Sequence, residues 1–433
     1  MVLYLRIDHN MYYALFNGGP VAFLFNYLVV FIGVLAQTAC LAELASNMPI
    51  AGAQYYWTYA YSPEKYRLFL TWLQGWATWL AFVATLASIL NGNVINLEAR
   101  IQINSPDYVP GGWHTTLIFL ATMAFLTVLN LWVFEVVPWF ELVSGVLNLV
   151  FFVITFVALW VMAPRNSPEF FLSRTKYSTW DNDYVSWSFE CVIHMGEETE
   201  NDKRAVPQAM FWSIACMPPV EDLLMSSNPY IYLISTATGS RSFATIITTG
   251  INFVCLGCGI SSFSSTTLLT WDGGLPRFFG HVDAKNRVPM RAVLLTCFLV
   301  ALLSLLNLGT GTYIAFGAVT SLSSLGSYFS YAIILGVALH KRLTSGLQTS
   351  DWSMGRIGTP VNIFALVYTV YSMIWLPFPT TLPVTATGMN YSGPVFATVI
   401  AGAIGSWFLW GKKHWLGPNQ GVAEIVLRGD AGK

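Results

Sequence analysis

Long apolar stretches, each bounded by polar or charged residues, recur along the chain. Nine of them are close to the roughly 20 residues that a helix needs to cross a bilayer core of about 30 Å. They run from Val21 to Leu44, Phe69 to Val94, Thr116 to Phe134, Val136 to Ala163, Phe243 to Thr270, Met290 to Leu308, Tyr313 to Leu339, Val361 to Phe378 and Pro394 to Trp410. Because backbone polar groups must be satisfied internally in lipid, this pattern predicts an all-α integral membrane protein, a polytopic bundle of about nine clear transmembrane helices.

Composition agrees with a chain that faces lipid. Charged residues make up 10% of the 433 and hydrophobic ones 55%, with a mean hydropathy of +0.56, whereas a soluble domain carries about 25% charged residues. The 21 basic and 22 acidic residues nearly cancel, so no basic excess favours nucleic acid. We expect the lipid bilayer as a partner and no nucleic acid.

Loop charges predict the orientation, because Lys and Arg in short loops favour the cytoplasmic side. In the second half of the chain basic and uncharged loops alternate, and Lys412 and Lys413 follow the last apolar stretch. The basic loops carry Arg277, Lys285, Arg287, Lys341, Arg342 and Arg356. The C-terminal tail, residues 419–433, is therefore expected in the cytoplasm.

Two shorter apolar pieces, Tyr184 to Met195 and Ala209 to Val220, flank the polar sequence GEETENDKR. Each has about a dozen residues, too few to cross as a single helix. Either neither crosses, or both cross with help from neighbouring helices. One crossing alone would place the later basic loops outside.

Glu190 and His194 lie in the first short piece, and ionisable groups at membrane depth suggest a proton relay or a substrate contact. Alternatively, this piece lies at the interface, where both side chains are hydrated. No GxxxxGK[ST], HExxH or GxSxG motif occurs, and the CxxC of Cys255 and Cys258 has no second Cys or His pair nearby. We therefore expect no enzyme activity, no cofactor and no metal site.

A row of hydroxyl side chains lies in the stretch from Tyr313 to Leu339. Thr320, Ser323, Ser327 and Ser330 are spaced three and four apart, so they share one helical face. Such a face can line a polar pathway. It can equally be a close packing surface, because small residues and hydroxyls let membrane helices approach each other.

Several phrases resemble one family: the fungal amino acid and choline permeases, including GABA permeases, of the amino acid, polyamine and organocation transporter superfamily. They are AELASNMPIAGAQYYW (Ala42 to Trp57), HMGEETENDKRAVPQAMFWS (His194 to Ser213), WDGGLP (Trp271 to Pro276), TSLSSLGSYFSYA (Thr320 to Ala332), GRIGTPVNIFALVY (Gly355 to Tyr368) and WGKKHWLGP (Trp410 to Pro418). The resemblance implies a transporter domain over residues 17–418, preceded by a polar peptide, residues 1–16. It further implies a proton- or ion-coupled importer of the inverted-repeat (5+5) type, with broken first and sixth helices at the substrate site.

The chain departs from that family pattern where the family binds substrate. The peptide from Met1 to Leu15 stands in place of the first helix, the sixth helix keeps only its second half, and Cys216 to Pro219 leads almost directly to a loop in place of the seventh. The resemblance implies that Ser188, Phe189 and Glu190 remain as substrate contacts, with Glu190 also coupling. Ser323 and Ser327 of the hydroxyl face complete the expected set.

Three functional hypotheses follow. The first is a secondary active transporter, working by alternating access at the plasma membrane and coupled to protons, for an amino acid, choline or another primary or quaternary amine. The second is a transport-inactive remnant or receptor-like membrane protein derived from a shortened permease gene. The third, an integral membrane enzyme, rests only on Glu190 and His194, which lie four residues apart and so share one helical face, with no nucleophile or metal cluster beside them.

Overall fold

The computed structural model of the chain describes residues 3–50, 53–132, 137–163, 165–171, 228–266, 289–309, 312–347, 352–379 and 383–418, and the single positions 222, 224, 226, 274 and 278. All regular structure within these ranges is helical. The helices are α1 (Leu3–Asn47), α2 (Ala53–Tyr61), α3 (Arg67–Asn104), α4 (Gly112–Trp132), α5 (Val137–Met162), α6 (Pro168–Phe171), α7 (Pro229–Thr238), α8 (Arg241–Thr266), α9 (Met290–Ser304), α10 (Leu306–Gly309), α11 (Thr312–Thr344), α12 (Gly358–Trp375), α13 (Ser392–Ser406) and α14 (Lys412–His414). A 3₁₀ turn, Gly355–Ile357, precedes α12, and a π-helical turn, Trp407–Gly411, follows α13.

Nine helical segments of the described ranges are long and apolar enough to cross a membrane. They are Leu28–Asn47, Arg67–Asn104, Gly112–Trp132, Val137–Met162, Arg241–Ile260, Met290–Gly309, Tyr313–Thr344, Gly355–Trp375 and Ser392–His414. Each coincides with one of the apolar stretches of the sequence. The predicted all-α architecture, with about nine clear transmembrane helices, is therefore confirmed.

Helix α1 begins well before its membrane span. It starts at Leu3 and is bent at Gly19, whose φ of 69° and ψ of −163° lie outside the helical region. Glycine adopts a positive φ without steric cost, and the next residue, Pro20, has no N–H for a helical hydrogen bond. The boundary at residue 16 that the sequence suggested therefore falls inside a helix, shortly before its kink.

Helix α3 forms the centre of the bundle, packed against α2, α4, α8, α11 and α13. Residues on all its sides are buried, among them Trp72, Ala77, Ala84, Leu86 and Leu90. A helix that is buried all round belongs to the core of a helical membrane protein. Helix α3 therefore gives its neighbours a common surface.

Helix α5 lies at the opposite extreme. Its large apolar side chains are mostly exposed, as Trp139, Leu142, Val146, Leu149 and Val153 show. Because lipid tails are as apolar as these side chains, such a face needs no protein covering in a bilayer. We assign it to the lipid-facing surface.

Candidate functional site

Buried polar side chains concentrate on the two helices that pack most extensively, α3 and α11. On α3 they are Thr71, Gln74, Ser88, Asn91, Asn93, Asn96, Glu98 and Arg100, and on α11 they are Thr320, Ser321, Ser323, Ser324 and Ser330. Burying a polar group without a hydrogen bond is costly, and no water is available in the bilayer core to satisfy it. Helices α3 and α11 therefore each carry more buried polar side chains than any other described helix.

Hydroxyl groups pair across this interface. Ser323 Oγ lies 2.6 Å from Thr85 Oγ1, and Ser88 Oγ lies 2.8 Å from Thr320 Oγ1. Toward the other end of α3, Thr78 donates to Ser330 Oγ at 3.0 Å. We call these three pairs the hydroxyl seam.

The direction of two seam bonds follows from the bonds that the threonines make within their own helices. Thr85 donates its single hydroxyl proton to Ala81 O at 2.8 Å, and Thr320 donates to Phe316 O at 2.8 Å. A hydroxyl has one proton and two lone pairs. Ser323 and Ser88 are therefore the donors across the interface.

In this conformation the hydroxyl face of α11 packs against α3 through the hydroxyl seam. Thr320, Ser323 and Ser330 turn toward α3 and are almost fully buried, while Ser327 is partly exposed. Helix packing, one of the two alternatives open from the sequence, is thus seen here. Substrate contact by Ser323 and Ser327 stays a prediction, and for Ser323 it requires the seam to open.

The other predicted site residues, Ser188, Phe189 and Glu190, lie outside the described residues, as do His194 and both short apolar pieces. Their predicted roles in substrate contact and coupling therefore stay predictions. Within the described ranges no three His, Cys, Asp or Glu side chains come together as a metal site.

A buried carboxylate near the C-terminal end of α3 was missed by the sequence reasoning. Glu98 is 4% exposed, and Thr115 Oγ1 of α4 lies 2.9 Å from its Oε1 and 3.1 Å from its Oε2. The apolar count ended this helix at Val94, whereas α3 continues to Asn104. The sequence did contain a signal for it. Glu98 follows the apolar stretch with no Pro or Gly in between that would end the helix before it.

Two aromatic groups lie beside this end of α3: Tyr108 in the connection to α4 and His114 in the first turn of α4. The ring centroids of Tyr108 and His114 are 5.9 Å apart, and the Gly111 amide donates to His114 Nδ1 at 3.0 Å. Desolvation raises the pKa of Tyr108, and the negative charge of Glu98 adds to that rise. This end of α3 therefore carries a cluster of titratable groups.

A cavity of about 370 Å³ opens on the neighbouring face of α3, lined by Ala99, Gln102, Asp222, Asn228 and Tyr232 among others. Asn228 donates to Asn96 Oδ1 of α3 at 3.0 Å. Its own Oδ1 accepts from two backbone amides at 3.0 Å and so caps α7. An N-cap of this kind satisfies amides that the first turn leaves free, which fixes α7 against α3 beside the cavity.

A second charged cluster lies at the other end of the bundle. The Glu43 carboxylate at the end of α1 pairs with the Arg342 guanidinium near the end of α11. Glu43 Oε1 also accepts from Ser353 Oγ at 3.0 Å and from the Met354 amide at 3.2 Å. Glu43 is 2% exposed, so these contacts replace the water that a buried charge requires. Burial, with a smaller contribution from Glu43, raises the pKa of Tyr61 at the end of α2.

Comparison with known proteins connects this architecture to a family. The family model described as Amino acid permease matches residues 10–402, which includes the hydroxyl seam, Glu98 and the Glu43–Arg342 pair. The chain belongs to the amino acid permease family. The family resemblance carried by the sequence motifs is thereby confirmed.

Individual relatives of this permease are fungal. It is 27% identical to a choline transporter of Saccharomyces cerevisiae over 94% of this chain and 78% of the relative. It is 26% identical to amino-acid permease 2 of Neurospora crassa, over 94% of this chain and 81% of the relative. A GABA-specific permease of S. cerevisiae is 25% identical over 94% of this chain and 79% of the relative. Family and relatives together indicate an integral membrane transporter rather than an enzyme.

Proposed function

We propose that this permease is a secondary active transporter that moves an amino acid, choline or a related small amine by alternating access, coupled to protons. The observation that carries the proposal is the family match over residues 10–402. The matched region extends from α1 into α13 and contains the hydroxyl seam. Relatives named for choline, amino acids and GABA indicate the substrate class.

The hydroxyl seam supports a mechanism in which α3 and α11 change their contact. Alternating access requires a bundle with two arrangements of nearly equal free energy. Interhelical hydrogen bonds in membranes contribute only about 0.6 kcal/mol each on average. Because every seam hydroxyl can both donate and accept, water or a substrate can replace its partner at small cost.

Within this proposal, Ser188, Phe189 and Glu190 contact the substrate from the part of the chain that the structure does not describe. Ser323 and Ser327 of α11 complete the set when the seam opens. All three substrate types named for the relatives contain a nitrogen that is cationic at neutral pH. The Glu190 carboxylate is suited to that charge.

We further propose that the protein lies in the plasma membrane with its C-terminus in the cytoplasm. Lys341, Arg342, Arg356, Lys412 and Lys413 all lie at helix ends that this orientation places inside, as the distribution of positive charge requires. The Glu43–Arg342 pair is then cytoplasmic, and Glu98 lies near the outer surface.

Uptake of radiolabelled choline, GABA and a mixed amino-acid set into permease-deficient cells that express the 433-residue chain tests the proposal. Surface delivery is measured in the same cells, and cells carrying the empty vector give the background. We expect saturable uptake of at least one of these substrates. Normal delivery without uptake above background would contradict the proposal and favour the transport-inactive alternative.

A further inference from the structure

Glu98 is a carboxyl group buried within a membrane-spanning helix and outside the set of residues assigned above to the substrate. We propose that Glu98, rather than Glu190, binds the proton that drives transport, an inference that rests on the proposed transport function. Ionisable groups inside membrane segments are rare because of their cost, and they mark proton and ion pathways. Three observations on its surroundings support this role.

The first observation is that no cation neutralises the charge of Glu98 among the residues that the structure describes. Arg100, on the same helix, directs its Nη1 to Thr248 O of α8 at 3.0 Å. The polar partner of Glu98 within the described ranges is the uncharged Thr115 hydroxyl. A buried charge without a cation is strongly disfavoured, and binding a proton removes it.

The second observation is that Thr115 can serve both protonation states of Glu98. Its hydroxyl lies 2.9 and 3.1 Å from the two carboxylate oxygens and donates to the ionised form. Once a proton forms an O–H bond on the carboxylate, the neutral acid becomes a donor, and the Thr115 oxygen has lone pairs to accept it. The site thus keeps a hydrogen bond while the proton arrives and leaves.

The third observation concerns the titratable groups at this end of α3, of which Tyr108 interacts electrostatically with Glu98. Tyr108 lies in the connection to α4, His114 in the first turn of α4, and Asp222 lines the cavity on the adjacent face of α3. Asp107, in the same connection, is exposed. In the proposed orientation all of them are near the outer surface, where water can supply the proton.

In the proposed coupling step Glu98 binds one proton and later releases it. A proton from the outer water binds one Glu98 oxygen, and the side chain changes from an anion to a neutral acid. Helix α3 thereby loses its uncompensated buried charge, which lowers the cost of the rearrangement that admits the substrate. In the inward-open state the bundle admits water from the cytoplasmic side as far as Glu98, the O–H bond breaks, the proton passes to that water, and the carboxylate is restored.

The deciding experiment compares two transport modes in cells or proteoliposomes containing the full chain. Glu98→Gln keeps the size of the side chain but cannot exchange a proton. We expect loss of accumulation driven by an inward proton gradient, while exchange of labelled for unlabelled substrate without a gradient continues. Asp107→Asn, a change of an exposed carboxylate next to the same helix, is the matched control and should retain both modes.

Thr115 provides a second test that does not depend on the folding of Glu98→Gln. Hydrogen bonds to an ionised acceptor are stronger than those to a neutral one, so Thr115→Val removes more support from the carboxylate than from the acid. Uptake should then persist to higher pH than in the unmodified chain. Thr115→Ser should restore the original pH profile, because it returns the hydroxyl.

The outcomes separate this inference from the proposed function. Gradient-driven accumulation by Glu98→Gln, or uptake by the unmodified chain that ignores the proton gradient, would overturn the role of Glu98 and leave the transport proposal standing. Absence of any uptake by the unmodified chain would overturn the transport proposal instead. In that case infrared titration of the purified chain still tests proton binding, through a carboxyl band that Glu98→Gln should remove.

Discussion

The carboxylate of Glu43 and the guanidinium of Arg342 form an ion pair that joins the end of α1 to the end of α11, 299 positions later in the chain. Ser353 and the Met354 amide bind the same carboxylate, so the connection to α12 is held at this point as well. The ends of α1 and α11 and the connection to α12 are therefore held together at the end of the bundle that we assign to the cytoplasm. A contact of this kind stabilises one arrangement of the bundle.

Removing one member of this pair should strongly destabilise the protein, because the other charge stays buried without compensation. We expect Glu43→Gln to lower the free energy of unfolding by about 3–5 kcal/mol, seen as a lower melting temperature of the purified chain in detergent. Lys341→Met, which removes the neighbouring cation of α11, is the control and should melt like the unmodified protein. Equal melting temperatures for all three would show that the pair contributes nothing.

The double variant Glu43→Gln with Arg342→Met sharpens this prediction. Replacing both charges leaves no unpaired ion, and such replacements are often neutral for stability. We expect the double variant to melt above Glu43→Gln alone. A double variant that melts lower still would mean that the two side chains act independently.

Close approach of α3 and α11 at Gly326 gives a second prediction. A Cβ at this position would lie 3.0 Å from Ala77 O and from the Ala81 Cβ, both of which belong to the rigid surface of α3. Gly326→Ala should therefore destabilise by about 1–3 kcal/mol through overpacking. Gly336, on the same helix, has no heavy atom within 4 Å of such a Cβ, and Gly336→Ala should be neutral or stabilise by up to about 1 kcal/mol. Thermal melting of the two variants side by side measures the difference.

Substitution of seam hydroxyls can separate a packing role from substrate contact. Ser323→Ala removes the donor to Thr85, whose own proton stays bound to Ala81 O, so stability should fall by only about 0.5–1.5 kcal/mol. If Ser323 also contacts the substrate, the KM for uptake rises as well. Ser88→Ala removes an equivalent donor, to Thr320, and should change stability alone. Equal KM values for both variants would limit Ser323 to packing.

The sequence predicted the membrane spans well because a stretch of about 20 apolar residues has few other uses. It was less successful where polar residues continue a helix. Helix α3 extends to Asn104 because Glu98, Arg100 and Asn104 find partners on α4 and α8, and such partners are invisible in a hydropathy count. Helix α1 also begins earlier than the apolar stretch from Val21, because it starts at Leu3.

The sequence also could not predict which residues, far apart along the chain, contact each other in the fold. The spacing of Thr320, Ser323 and Ser330 showed that they share a helical face, but only the fold shows that Ser88, Thr85 and Thr78 lie opposite them. Glu43 lay within a recognised motif, and nothing in that motif indicated Arg342. A helical period identifies which residues of one helix act together, whereas the partner surface depends on how the helices pack.

Cysteine labelling from one side of the membrane tests the proposed orientation. Asp107 lies in the exposed connection between α3 and α4, and Lys412 is exposed after the π turn, so a cysteine at either position can react. A membrane-impermeant maleimide should label Asp107→Cys in intact cells and Lys412→Cys only after permeabilisation. The unmodified chain measures the background labelling, to which the partly buried Cys297 can contribute, whereas Cys40, Cys255 and Cys258 are buried. The reverse pattern would place Glu98 at the cytoplasmic end, so the labelling result also decides from which side the proton reaches it.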